Sequence, residues 1–194
     1  GIGLDRRIGP RFLNAGIGWG GSCFGKDTSA LIASANDHDV SMPIVQAART
    51  VNYEQRDKVV ETLFKALKVL RGKTIGLLGA AFKPETDDIR DAPSVDIARQ
   101  LVHQGARVKI HDPVAMENAR QELQGIPEIQ FSDSPESLAT QCDALVLVTE
   151  WPQYRHLNWS ALRASMNHPV MLDGRYFLDG NLLRTSGFVY LTLS

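Results

Sequence analysis

The run Ala144-Leu145-Val146-Leu147-Val148-Thr149 carries no charge on any side chain, and with Thr74-Ile75-Gly76-Leu77-Leu78-Gly79 it sharply limits the possible fold. A strand that is apolar on successive residues has both faces buried, which happens in parallel sheets covered by helices. The intervening stretches fit that scheme. Ser94 to His103 has amphipathic helical spacing ending at Gly105, and Arg107 to His111 reads as a strand stopped by Asp112-Pro113. Helices are predicted over 115–123, over 135–141 with Ser134 as cap, and over 159–166. Strands are predicted over 129–131, 170–172 and 188–193. Strands alternating with helices indicate an α/β fold with a Rossmann-like, doubly wound parallel sheet over 73–194.

Upstream, Arg71-Gly72-Lys73 combines a helix-ending glycine with the onset of a β-type run, so a domain boundary is expected there. Residues 1–72 then form a helical region. Its first 25 residues are glycine-rich and read as loop, with a short helix near residues 11–15. A helix is predicted from Lys26 to Asp37, and a long central one from Pro43 to about Leu70, with Ser41 placed to cap it. Ile44, Ala47, Ala48, Val51, Val60, Leu63, Phe64, Leu67 and Leu70 give the long helix an apolar stripe roughly 40 Å in extent. Such a stripe serves as a spine between domains, as a subunit interface, or as packing within the chain.

The formal net charge is −1 with both signs interspersed, which gives no electrostatic case for nucleic acid. Two cysteines imply no disulfide framework and fit a reducing cytoplasm, and no apolar run is long enough to span a membrane. The chain begins at Gly1 without Met, in sequence that reads as the middle of a protein, so it is expected to be a piece of a longer one.

The chemistry concentrates in Gly18-Trp19-Gly20-Gly21-Ser22-Cys23-Phe24-Gly25-Lys26-Asp27. Glycines at 18, 20 and 21 let backbone approach a ligand, and Cys23 stands just before a helix. A thiol at a helix N-terminus, near a cation such as Lys26, is placed to react as a thiolate. Asp27 follows about one turn later and puts a carboxylate over the same face. A tight turn with a small buried cysteine is the plain alternative. Cys142 heads an apolar strand and is expected to be buried and structural; the five histidines lack metal-ligand spacing, and no metal site is expected.

The first strand ends in Gly76-Leu77-Leu78-Gly79-Ala80-Ala81, with Leu78 where a dinucleotide fingerprint needs its second glycine. A nucleotide site of another kind is favoured over a nicotinamide site here, although Asp112 could mimic the ribose-binding acid. Phe82 to Ser94 is a polar loop at that strand's carboxyl end, in which Glu85, Asp87 and Asp91 read as a solvated connection. Trp19 could stack on a base or merely cover the glycines.

Several separated strings resemble one family. Gly20-Gly21-Ser22-Cys23-Phe24-x-Lys26-Asp27, preceded by Arg7-Ile8-Gly9 and Phe12-Leu13, resembles the active-site segment of the UDP-glucose/GDP-mannose dehydrogenase family. The string Phe82-Lys83-Pro84-Glu85-Thr86-Asp87-Asp88-Ile89-Arg90 resembles its second signature. Asp173-Gly174-Arg175 and Thr149-Glu150-Trp151 resemble further parts. The likeness covers nearly the whole chain, with Gly25 standing where the family often has Pro.

The resemblance implies two-step oxidation of a nucleotide sugar, with hydrides passed to NAD. Cys23 would add to the aldehyde and carry a thioester, Asp27 would help activate water, and Lys26 or nearby backbone N–H groups would steady the oxyanion. Gly16, Gly18, Gly20 and Gly21 would wrap the sugar and phosphates, with Leu13, Asn14 and Trp19 beside them and Phe12 and Phe24 lining the pocket. Arg7 would reach a neighbouring subunit's substrate, Phe82, Lys83 and Arg175 would contact the nucleotide sugar, and Arg90 would approach the cofactor, as would Cys23 and Lys26. NAD itself would be held mainly by a preceding domain that has no counterpart in this sequence. The implied partners are UDP-glucose, by analogy closer than GDP-mannose, and a second copy meeting through the long helix. The alternative is a stand-alone module that binds nucleotide sugar or assists assembly without catalysis.

Overall fold

The computed structural model describes residues 1–10 and 13–193. It has the expected α/β architecture. Two helices, α1 (Phe24–Asp37) and α2 (Pro43–Leu67), precede an alternation of β1 (Thr74–Leu78), α3 (Pro93–His103), β2 (Arg107–His111), α4 (Met116–Glu122), β3 (Ile129–Phe131), α5 (Pro135–Ala139), β4 (Ala144–Leu147), α6 (Trp159–Ser165), β5 (Val170–Asp173), α7 (Gly180–Thr185) and β6 (Val189–Thr192). The six strands are all parallel, in the order β3-β2-β1-β4-β5-β6. That is the doubly wound order, with the direction of travel reversing between β1 and β4. Every residue of β1 and of β4 is buried, which is why these two runs read as continuous hydrophobe.

Local chemistry explains most boundaries. Ser134 caps α5 reciprocally with Ser137, and Asp179 caps α7 by accepting from the amides of Asn181 and Leu182. The sequence reading had no helix at α7, whose six residues are too few to show a period. Helix α1 begins at Phe24, earlier than the expected Lys26, and this makes Cys23 its N-cap residue. Leu13 to Ala15 are not helical; the rest of the short helix expected near 11–15 lies outside the described residues.

The long helix departs from expectation in three ways. Met42, not Ser41, is its N-cap residue, and no side chain caps it. It ends at Leu67 because Lys68 turns into the left-handed region at φ 65°. Its buried residues are Asn52, Arg56, Val59 and Leu63, whereas Ile44, Val51 and Phe64 are 83%, 51% and 54% exposed. Of the stripe read from hydrophobicity, Val60, Leu63, Leu67 and Leu70 do pack on the core, whereas Ile44, Ala47, Ala48 and Val51 in its first half are turned away from the inward face that carries Asn52 and Arg56. Helix α1 buries no residue. Among the described residues no helix is long and apolar enough to cross a membrane.

Candidate active site

The glycine segment lies along the carboxyl end of the sheet and is held from two sides. On the sheet side, Ile17 is fully buried and donates its amide to the Gly174 carbonyl at 3.0 Å. Gly174 must lack a side chain there, since a Cβ would stand 2.8 Å from the Ile17 Cγ2. The buried carboxylate of Asp173 folds the next turn by accepting from the amides of Arg175, Phe177 and Leu178 and from the Tyr190 hydroxyl. That turn aims Arg175 inward: its Nε donates to the Val148 carbonyl at 2.7 Å and its Nη1 to the Gly18 carbonyl at 3.0 Å. Burial pulls the Arg175 pKa below the ordinary arginine range, while Glu150, 3.3 Å away, favours its charged form.

On the other side stands α2. Asn52 accepts from the Trp19 amide at 2.7 Å and donates to the Trp19 carbonyl at 3.1 Å. One turn further, Arg56 donates to the same carbonyl at 3.0 Å and to the Asp91 carboxylate at 2.9 Å, and also pairs with Asp96. Gly18, at φ 86°, packs directly on Asn52, and Gly20 packs on the Asp91 backbone, where a Cβ would collide. The Gly21 amide donates to the Arg90 carbonyl at 2.8 Å.

Cys23 emerges from this clasp exposed, at the start of α1, with its Sγ 3.8 Å from the Ser22 hydroxyl. Its carbonyl accepts from the Asp27 amide at 2.8 Å, so Asp27 stands one turn along as the spacing implied. Lys26 and Asp27 are both exposed and 3.6 Å apart. Arg49 of α2 braces this turn by donating to the Gly25 carbonyl at 2.7 Å. The buried, tight-turn alternative for Cys23 does not hold, whereas Cys142 is fully buried, donates to the Leu138 carbonyl and has its pKa pushed up to about 12 by burial.

Phe82 lies against Gly21, and Lys83 is exposed with its Nζ 5.4 Å from the Phe82 ring centre. Arg90 is exposed and forked onto Asp88, which raises its pKa, with the nearby Cys23 adding to the effect. Trp19 is half-buried and meets the exposed Phe24 edge-on at 6.2 Å. Arg7 is exposed and paired with Asp5 at 2.7 Å. Leu13 and Asn14 are exposed, Gly16 packs on Arg175, and Phe12 lies outside the described residues.

Two readings of acids need correction. Asp91 is not part of a solvated connection, because its carboxylate faces buried Arg56. Asp112 cannot serve a ribose: it is 2% exposed, and its oxygens accept from the amides of Ala80, Ala81, Val114 and Ala115 and from the Trp151 indole. This also tests the sheet as an NAD site. The amides after β1 that would meet a pyrophosphate are already taken by Asp112, and α3 begins only at Pro93, so these residues do not fit a dinucleotide in the usual position. Sequence reasoning missed Arg49, Asn52 and Arg56; the available signal was their i, i+3, i+7 spacing, leading into Val59 and Leu63 on one face. Among the described residues, no three His, Cys, Asp or Glu side chains converge as a metal site.

This geometry has known relatives. Residues 76–180 match the UDP-glucose/GDP-mannose dehydrogenase family, UDP binding domain, and residues 1–54 match the central domain of the same family. The whole chain is 40% identical to the UDP-glucose 6-dehydrogenase of Rhizobium meliloti (strain 1021), of which it covers 44%. It is also 40% identical to that of Pseudomonas aeruginosa, with 98% of this chain and 43% of the relative aligned. Among solved structures it is similar to a UDP-glucose dehydrogenase from Pyrobaculum islandicum, at TM-score 0.84 and 39% identity, over 98% of this chain and 41% of that one. The chain thus spans less than half the length of these relatives. With both family domains matched in order around one clasped cysteine loop, it belongs to the UDP-glucose/GDP-mannose dehydrogenase family.

Proposed function

We propose that this chain is the central and C-terminal part of an NAD-dependent UDP-glucose 6-dehydrogenase. In this reading residues 1–72 form the helical region carrying the cysteine loop, and residues 73–194 form the UDP-sugar-binding domain. The observation that carries it is the exposed Cys23 at the head of α1, presented by a glycine loop held at once by Arg175 of the sheet domain and Asn52 of the long helix. NAD, held by the rest of the protein, supplies the hydride acceptor.

An aldehyde has no hydride to give until a nucleophile adds to it. The Cys23 sulfur forms the new bond to the C6 carbon, giving a thiohemiacetal; loss of hydride leaves a thioester, and water releases the carboxylate and restores the thiol. Asp27 takes a proton from that water, and Lys26 or the first amides of α1 steady the oxyanion. Gly16, Gly18, Gly20 and Gly21, with Leu13, Asn14 and Trp19, surround the sugar and phosphates, and Phe12 borders them. Phe82, Lys83 and Arg175 face the nucleotide side, Arg90 faces the cofactor, and Arg7 serves a neighbouring subunit. The exposed Leu31, Val40, Ile44 and Val51 of the helical hairpin support a homodimer built through it. The same reading places the enzyme in the cytoplasm.

The test uses the full-length protein carrying this sequence. UDP-glucose should drive the reduction of two NAD per sugar consumed, and Cys23→Ala should abolish the second, aldehyde-oxidising reduction and with it formation of the carboxylate. The 194-residue chain by itself should bind the nucleotide sugar weakly at best and give no steady NADH signal. Absence of UDP-glucose-dependent reduction in the full-length protein, or carboxylate formation at two NAD per sugar in Cys23→Ala, overturns the reading.

A further inference from the structure

Arg56 is the largest fully buried side chain of the described residues, 1% exposed, and it joins three segments remote in sequence. Its Nη2 donates to the carbonyls of Trp19 at 3.0 Å and Asp91 at 3.2 Å; its Nη1 pairs with the Asp91 carboxylate at 2.9 Å and with Asp96 in the first turn of α3. The guanidinium also lies 4.7 Å from the Tyr53 ring centre. With Asn52 holding the Trp19 amide and carbonyl, both backbone polar groups of Trp19 are fixed by one helix.

This arrangement is not the one that stability alone would select. A buried arginine is expensive to desolvate, and ion pairs of this kind are often replaceable by hydrophobic packing without loss. Here, among the described residues, the Arg56 Nε and the Asp91 Oδ2 are buried without partners, which costs still more. What the network does secure is register. Trp19 is tied to α2, and Gly21 is tied to the Arg90 carbonyl, next to Asp91. Only Ser22 then separates the anchored Gly21 from Cys23, so at about 3.8 Å per residue a displacement of the anchors passes to the sulfur with little slack.

We propose that Arg56 is a positioning residue that sets the reach of Cys23 by bolting the glycine loop to the 82–92 segment. The proposal rests on Cys23 as the nucleophile, and its test separates the two. In the full-length protein, Arg56→Met keeps the volume and removes every donor, and Arg56→Lys keeps the charge and part of the pairing. Steady-state turnover is measured beside iodoacetamide labelling read by mass spectrometry, with buried Cys142 as an internal monitor of the fold.

Misplacement by about an ångström predicts a 10- to 100-fold fall in kcat for Arg56→Met, an intermediate value for Arg56→Lys, and Cys142 still protected in both. A kcat within twofold of wild type in Arg56→Met overturns the proposal. So does a loss of activity matched by labelling of Cys142, which marks a purely structural role. If Arg56→Met does not fold, the isosteric Asn52→Asp, which turns a carboxylate oxygen toward the Trp19 carbonyl, must show the same fall with Cys142 protected, and an unchanged kcat overturns the proposal. If the wild-type protein lacks UDP-glucose-dependent NAD reduction, the functional reading fails. The Cys23 labelling rate then decides: a change of about threefold or more in Arg56→Met, with Cys142 protected, supports positioning, and a smaller change refutes it.

Discussion

Asp112 accepts the indole N–H of Trp151 at 2.9 Å on the same oxygen that takes the amides of Ala80 and Ala81. The turn after β1, where related sheets admit a pyrophosphate, is therefore closed by the protein's own carboxylate. Asp112→Asn would place an amide N–H against donors on at least one side. Leaving such buried donors unpaired should cost about 2–4 kcal/mol. A lower urea midpoint at unchanged slope would report this, and a loss below about 1 kcal/mol would mean that the turn holds without the carboxylate.

Gly21 and Phe82 are a second matched pair. Gly21 sits at φ 89°, and a Cβ there would lie 2.9 Å from the Phe82 ring. Gly21→Ala should destabilise by about 1–3 kcal/mol, from backbone strain and ring displacement together. Only the second part depends on Phe82. The double variant with Phe82→Ala should therefore lose less than the sum of the single losses, and strict additivity would show that the ring is not the obstacle.

The sheet was legible in the sequence because double burial leaves an uninterrupted apolar run, as at 74–79 and 144–149. The glycines and cysteine alone fitted a tight turn with a buried thiol as well; the cysteine loop was legible because the whole string from Gly20 to Asp27, with the separated strings at 82–90 and 173–175, resembles one family. Only the first half of helix α2 was misphased, because hydrophobicity is a poor guide where the inward face carries Asn52 and Arg56, which are buried to hold a loop and not to exclude water. Asp91 and Asp112 were misread for a related reason. The Arg56 guanidinium that meets Asp91, and the Ala80, Ala81 and Trp151 donors that meet Asp112, are set by tertiary contact, which nothing within a few residues announces; only the Val114 and Ala115 amides on Asp112 are local.

The two thiols should behave as opposites. Cys23 is exposed, whereas Cys142 is fully buried with a pKa raised to about 12 by burial. Since the thiolate is the reactive form, iodoacetamide should add once to the native protein at Cys23 and reach Cys142 only in denaturant. The comparison is between these two thiols of this chain. Peptide mapping decides the matter, and an adduct on Cys142 under native conditions would contradict the packing of α5 on β1.

His111 gives the fold a pH dependence whose sign follows from its burial. It is 8% exposed, its Nδ1 lies 2.9 Å from the Tyr154 hydroxyl, and desolvation lowers its pKa, while Asp112, Glu136 and Asp133 pull weakly the other way. The unfolded chain, with a histidine pKa near 6.5, takes up a proton before the folded one does. Stability from this group is therefore intact above that value, falls as the pH drops through it, and levels off once the folded histidine is also protonated. His111→Gln should remove this component, so urea midpoints of the two proteins should converge as the pH is lowered from 8 toward about 5. The other histidines contribute to both curves and cancel in the comparison. A constant gap between the curves would mean that His111 is as easily protonated folded as unfolded, and that its place beside Tyr154 carries no electrostatic cost.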